Sequence, residues 1–267
     1  MEVLEKKSVD AENGAFDAHG RCQPAPIKAD AHKKTRRYFD FEKRAVDLNQ
    51  IYARLTTHLA IGNSVSLEEF TSRVNKILQD LQEDPLTKNS VNGVYVPFML
   101  PIETPTDIGT LIEQKYLPAV QAAFVEAFPD KTFVNHHKDG LTGKLAIALG
   151  SRHEKLLSKQ KNQVIVGVYF PSLMEFSVPA AIEQMAHLPE KFLLAGGVDT
   201  AAAMVAAPDL LLRQDGYPPV LWMAGLDTEK LGVGYLFEAY GYHLTFNRKP
   251  HFDKAAESWA SGLVVLG

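Results

Sequence analysis

The sequence contains a single cysteine, Cys22, among 267 residues. One thiol cannot form an intrachain disulfide, and it excludes zinc sites that are built from several thiolates. No stretch of about 18 apolar residues is present, so we expect no transmembrane helix. The first residues, MEVLEKK, lack the apolar run of a secretory signal. We therefore expect a cytoplasmic protein that has no structural metal and no membrane partner.

Charge of either sign is in little excess. Lys and Arg together number 28, Asp and Glu number 32, and the net charge is −4. Apart from the short cluster Lys33-Lys-Thr-Arg-Arg37, the basic residues form no dense stripe, which argues against nucleic acid as the main partner. The apolar fraction of 46% is ordinary for a globular protein and is sufficient for a full core.

The common catalytic signatures are also missing. There is no Gly-x-Ser-x-Gly elbow. His136 and His137 are adjacent and would point to opposite faces of a strand, which favours a polar loop over a metal site. Gly140-Leu-Thr-Gly-Lys144 has too few residues between its glycines for a phosphate loop, and Leu145 stands where that loop needs a hydroxyl. We predict no cofactor and leave open whether the protein is an enzyme.

Two regions are predicted from the distribution of polar residues. Residues 1–38 have few large apolar side chains, so we predict a flexible N-terminal arm. The alternative is an arm that docks on a partner or on an anionic surface through its basic cluster. Residues 39–267 are predicted to form a single domain.

Apolar residues at helical spacing predict an antiparallel hairpin of two helices, over residues 46–59 and 66–81. A capping box at Ser66 begins the second helix. A strand is predicted over residues 94–100, where Pro97 indicates an edge position or a bulge. We then predict a helix over 106–128 that is kinked or broken at Pro118, a short strand at 145–149, and a charged and partly helical connector at 152–161. A strand at 163–170 is followed by a helix from Ser177 to Pro189, a strand or connector at 192–197, and a helix at 200–207 capped by Asp199. The chain continues with a three-stranded meander over 218–248, a helix near 255–260 and a strand at 263–266.

The change of period after residue 218 decides the predicted fold class. Alternating strands that are joined by short turns imply antiparallel pairing. Because the regular order of strand and helix ends there, we predict an α+β fold with a mixed, largely antiparallel sheet covered by helices. A three-layer α/β fold is the alternative.

Four short motifs in the last third resemble the C-terminal part of an uncharacterised family of bacterial domains. The resemblance implies the same topology there and no activity, ligand or cofactor. Tyr235 and Phe237 depart from the family pattern, which has tryptophans in this strand. The motifs are Phe176-Ser-Val-Pro, Ala207-Pro-Asp-Leu-Leu211, Pro219-Val-Leu-Trp222 and Lys230-Leu-Gly232.

The start of the helix near residue 200 is one half of a predicted ligand site. Helix amides attract polar groups, and Gly196 and Gly197 permit close approach beside Thr200. Helix capping by Asp199 is the alternative explanation of this motif.

The C-terminal hairpin is the other half of the predicted site. Tyr235, Tyr242 and His243 offer aromatic walls and polar tips for a ligand, whereas the alternative is ordinary cross-strand packing. We expect these three residues to share one cavity with the helix start. The predicted function is the binding of a small molecule, or an enzymatic activity that needs no metal. The alternative is a non-catalytic interaction or assembly protein, such as a homodimer.

Overall fold

A computed structural model describes residues 14–62, 64–104, 106–240, 243–250 and 252–267. The helices are α1 (Leu48–His58), α2 (Leu67–Glu83), α3 (Ile108–Leu111), α4 (Leu117–Ala127), α5 (Glu154–Gln160), α6 (Val178–Gln184) and α7 (Gly197–Ala206). The strands are β1 (Val96–Leu100), β2 (Thr132–Asn135), β3 (Leu145–Ile147), β4 (Ile165–Met174), β5 (Leu193–Leu194), β6 (Val220–Trp222), β7 (Leu226–Thr228), β8 (Val233–Tyr240), β9 (His243–Pro250) and β10 (Trp259–Leu266).

One mixed sheet of eight strands dominates the fold. Its order is β1-β4-β10-β6-β8-β9-β2, and β5 adds to β10. Only the β10–β6 and β2–β9 pairs are parallel. The other pairs are antiparallel, which confirms the predicted α+β fold. Strands β3 and β7 form a separate antiparallel pair.

The predicted strands are present, although β4 runs four residues past the predicted end at Phe170, and β2 and β7 were not predicted. All ten residues of β4 are buried, as expected for an apolar run at the centre of a sheet. Strand β1 lies at the edge of the sheet and pairs with β4 on one side only. This position suits Pro97, because proline has no amide N–H to donate to a second neighbouring strand. Strands β6, β8 and β9 form the predicted meander, and Tyr240 pairs with His243 at its second turn.

The helix predictions are mostly confirmed. Asp47 accepts hydrogen bonds from two amides at the start of α1, and Ser66 accepts one from the Glu69 amide at 3.1 Å. The predicted helix over 106–128 is interrupted by a π-helical turn at Ile112–Tyr116. Helix α4 then begins with Pro118 in its first turn, where proline needs no amide donor.

Two details near the C-terminus differ from prediction. The helix expected at residues 255–260 is absent, because β10 begins at Trp259 and pairs with β4 along its length. Sheet pairing here overrides a local preference, as tertiary context often does. Helix α7 begins at Gly197 rather than Thr200. Asp199 therefore acts from inside the first turn, where its carboxylate accepts a hydrogen bond from the Gly196 amide at 2.9 Å.

The expected flexible arm needs correction for residues 14–38. Phe16 and Cys22 are fully buried and form a β-bridge, and the Cys22 amide donates to the Ser172 carbonyl at 2.9 Å. The ring of Phe16 lies 5.5 Å from that of Phe192. A few large side chains thus hold a segment whose average composition is polar. Residues 1–13 of the expected arm lie outside the described residues.

Candidate functional site

Of the six predicted site residues, the five that the structure describes are not gathered around one cavity. Gly196, Gly197 and Thr200 are buried at the start of α7. Tyr235 is 3% exposed, whereas His243 is exposed and pairs across the hairpin with Tyr240.

Strand geometry explains this separation. His243 pairs with Tyr240 across the hairpin, so these two side chains lie on the same face of the sheet. Tyr235 is five positions from Tyr240, and side chains alternate along a strand, so Tyr235 lies on the opposite face. Tyr235 stacks on Phe246 inside the fold, and the two rings are 5.6 Å apart. The predicted Tyr242 lies outside the described residues.

The start of α7 instead borders a buried polar cluster, which we define as Tyr169, His153, Asp199 and Thr200. All four side chains are fully buried, and His153 Nδ1 lies 3.7 Å from Asp199 Oδ2. Within the described part of the chain, five of their polar atoms have no hydrogen-bond partner: both ring nitrogens of His153, Asp199 Oδ2, Thr200 Oγ1 and Tyr169 Oη. Buried polar atoms normally have partners, so this cluster is unusual.

Glycines shape the buried polar cluster. A Cβ on Gly196 would lie 2.5 Å from His153 Nε2, and a Cβ on Gly262 would overlap the ring of Tyr169. Burial raises the pKa of Asp199. The charge of His153 and hydrogen bonds from nearby backbone amides lower this pKa, but burial has the larger effect. Burial also raises the pKa of Tyr169, so its hydroxyl stays protonated at neutral pH. The cluster does not line the clefts described below, and it offers no route for a substrate.

An open cleft of about 380 Å³ lies at the opposite end of α7. Four chain segments form it: residues 42–47, the first half of α1, residues 91–96 and the end of α7 with the loop that follows. No local sequence signal marked it, because these segments are far apart in sequence. The apolar lining residues are Ala45, Val46, Ile51, Val91, Val94, Val96, Ala206, Ala207 and Leu210.

Six charged side chains share the lining with these apolar residues, three of each sign. The basic residues are Lys43, Arg44 and Arg54, and the acidic residues are Glu42, Asp47 and Asp209. Arg44 uses three of its five N–H groups, on Asp209, Glu42 and the Leu212 carbonyl.

Within the described ranges, Arg54 is the basic residue of the cleft with the most unused N–H groups, four of its five. Its Nη1 donates to the Ala206 carbonyl at 3.2 Å, which is its one hydrogen bond within the described residues. Burial lowers the pKa of Arg54, and the charges of Glu126 and Asp47 oppose this shift. Arg54 also lines a second cleft along α1, so it stands between the two.

Glu175 marks a third unusual place, at the end of β4. Its backbone adopts a left-handed conformation with φ of 61°, which is strained for a residue other than glycine. Its buried carboxylate binds His32 Nδ1 at 2.7 Å and the Thr35 hydroxyl, and thereby fastens residues 32–35 to the sheet. Both partners of Glu175 come from the segment that was predicted to be flexible.

The two adjacent histidines separate as predicted. His136 is exposed, whereas His137 is 5% exposed and its Nε2 contacts the Gly140 carbonyl at 2.8 Å. In the part of the chain that the structure describes, no three His, Cys, Asp or Glu side chains are grouped to hold a metal ion. Over the same residues, no helix has the length and apolarity needed to cross a membrane.

Comparisons of the chain with protein-family models, with curated proteins and with solved structures found no match.

Proposed function

We propose that the protein binds a small organic molecule in the cleft beside α1. The observation that carries this proposal is the combination of volume and lining. A cleft of about 380 Å³ has the volume of a small-molecule site, and its lining combines apolar side chains with six charged ones that can orient a ligand. The site differs from the one expected from the sequence, which lay at the opposite end of α7.

Arg54 suggests the chemistry of the ligand. Arg44 is occupied by Asp209, Glu42 and a carbonyl, and Lys43 donates to the Asn92 carbonyl at 2.9 Å. Arg54 keeps most of its N–H groups available, and a guanidinium binds a carboxylate in a planar, two-bonded arrangement. We therefore propose a ligand with an apolar body and one carboxylate.

A ligand-observed NMR screen tests this proposal. Aliphatic and aromatic carboxylic acids are screened beside their neutral amides, and hits are measured by calorimetry. We expect the acids to be preferred. Arg54→Ala should weaken their binding by about tenfold or more, since a charge-assisted hydrogen bond contributes about 1.5–3 kcal/mol. Arg36→Ala is the matched control, because Arg36 is 85% exposed and lies outside the cleft.

A second variant tests the position of the ligand. Ala207→Trp should fill the cleft and abolish binding, whereas Ala122→Trp on the exposed face of α4 should not. Hits that bind Ala207→Trp as well as the unchanged protein would contradict the proposal. Native mass spectrometry of protein purified from cells adds an independent check, because it reports a retained ligand and the oligomeric state together. A dimer without ligand would favour the assembly hypothesis.

A further inference from the structure

Residues 33–44 carry a local charge opposite to that of the whole protein. They contain six basic and two acidic side chains, a net charge of +4 in a chain whose net charge is −4. Three aromatic residues alternate with these charges, in the sequence KKTRRYFDFEKR. The whole-chain charge hides this asymmetry, because it averages over the acidic remainder of the molecule.

The segment is held against the body of the protein. Phe41 is buried, with 7% exposure. Arg213 Nη1 donates to the Asp40 carbonyl at 3.0 Å, and Arg44 forms an ion pair with Asp209. The side chains that remain exposed therefore have a defined arrangement on the surface.

Two tyrosines form an exposed aromatic surface in this region. Tyr38 is 57% exposed and Tyr217 is 58% exposed. Their ring centroids lie 5.7 Å apart with an interplanar angle of 33°, and Phe39 supports both rings from a less exposed position. Clustered apolar faces in water often mark an interaction site.

Three exposed cations that precede Tyr38 within five residues are available to a partner. Lys33 and Lys34 are exposed and have no hydrogen bond or ion pair within the described ranges. Arg36 is 85% exposed and lies 3.7 Å from Glu257, a distance and exposure at which an ion pair contributes little. Arg37 differs, because Asp40 neutralises it at 2.6 Å.

We propose that Lys33, Lys34, Arg36, Tyr38 and Tyr217 form a patch that binds single-stranded nucleic acid. Exposed rings provide stacking surfaces for bases, and neighbouring cations contact the phosphates. An anionic membrane or an acidic peptide would use the cations but would not need two flat rings side by side. This proposal is independent of the ligand cleft.

Fluorescence anisotropy with labelled single strands tests the charge component. The probes are oligo-dT and oligo-U of about 20 nucleotides, longer than one binding site of this kind. Three phosphate contacts predict a slope of about −2 for log affinity against log salt, a loss of about 15- to 20-fold between 50 and 200 mM. Lys33→Ala with Lys34→Ala should reduce that slope to about −0.7.

Variants of the tyrosines test the stacking component. Tyr38→Ala and Tyr217→Ala should each weaken binding by about tenfold, whereas the phenylalanine variants should retain it, because a phenyl ring still stacks. Lys159→Ala with Lys161→Ala is the matched charge control, since both lysines are exposed near α5. Circular dichroism establishes that each variant is folded.

Three results would overturn the proposal. The first is no binding of either oligonucleotide at the lowest salt concentration. The second is an unchanged affinity in both Tyr38→Ala and Tyr217→Ala, which would mean that charge alone accounts for the binding. The third is tighter binding to vesicles of anionic phospholipid than to either oligonucleotide.

Discussion

Replacing Phe16 with alanine tests whether the N-terminal segment is part of the core. Phe16 is completely buried, its ring packs 5.5 Å from Phe192, and its carbonyl accepts a hydrogen bond from Asn89. Truncation of a buried phenylalanine lowers the free energy of unfolding by about 3–5 kcal/mol, because it removes apolar contact and leaves a cavity. For a protein of this size, that corresponds to a fall of roughly 5–9 °C in Tm.

Urea unfolding and differential scanning calorimetry measure this effect. Gln23→Ala is the matched control, since Gln23 is exposed in the same segment and surface substitutions change stability by about 0.5 kcal/mol or less. If Phe16→Ala shifts Tm by no more than the control does, residues 14–38 do not stabilise the fold, and the packing argument fails.

Three further predictions concern buried groups. Burial raises the pKa of Cys22 to about 12, so a thiol reagent should label this residue only as fast as the protein unfolds. Rapid labelling would show that residues 14–38 are not packed against the fold. Tyr169→Phe should change the free energy of unfolding by less than about 1 kcal/mol, because its hydroxyl faces Thr200 but forms no well-formed hydrogen bond within the described residues. Tyr116→Phe should lower the free energy of unfolding by about 1–2 kcal/mol, because that hydroxyl accepts from Gln160 at 3.1 Å. Equal effects of the two substitutions would refute this contrast. Because burial raises the pKa of Asp199, the folded protein keeps a proton that the unfolded chain loses above about pH 4, and the contribution of Asp199 to stability should fall as pH rises above that value. Asp199→Asn retains an acceptor for the Gly196 amide and should remove this contribution from the pH dependence of the free energy of unfolding, measured with urea. An unchanged pH dependence would mean that Asp199 does not contribute to it.

Signals between residues close in sequence predicted most of the secondary structure. The Ser66 N-cap, the edge position of Pro97 and the strand predicted at residues 163–170 depend on local chemistry and burial pattern. The structure confirms the cap and the edge position, and it extends the strand to Met174. The α+β class followed in the same way, since the change to alternating strands after residue 218 is visible in the sequence alone.

Composition was a poor guide where a few contacts decide the outcome. Residues 14–38 are polar on average, but Phe16 and Cys22 are buried and Glu175 binds His32 from a strand far along the chain. The free energy from such contacts depends on which distant partners are present, and an average over neighbouring residues does not contain that information.

The sequence by itself determined the fold class, most helix starts and the antiparallel β8–β9 hairpin, because these depend on neighbouring residues and on the period of apolar side chains. Only the tertiary structure decided where a site lies. Tyr235 and His243 were separated by the register of one turn, and the cleft at Arg54 is assembled from four distant segments. Proximity across such distances is set by packing of the whole chain, which no local pattern records.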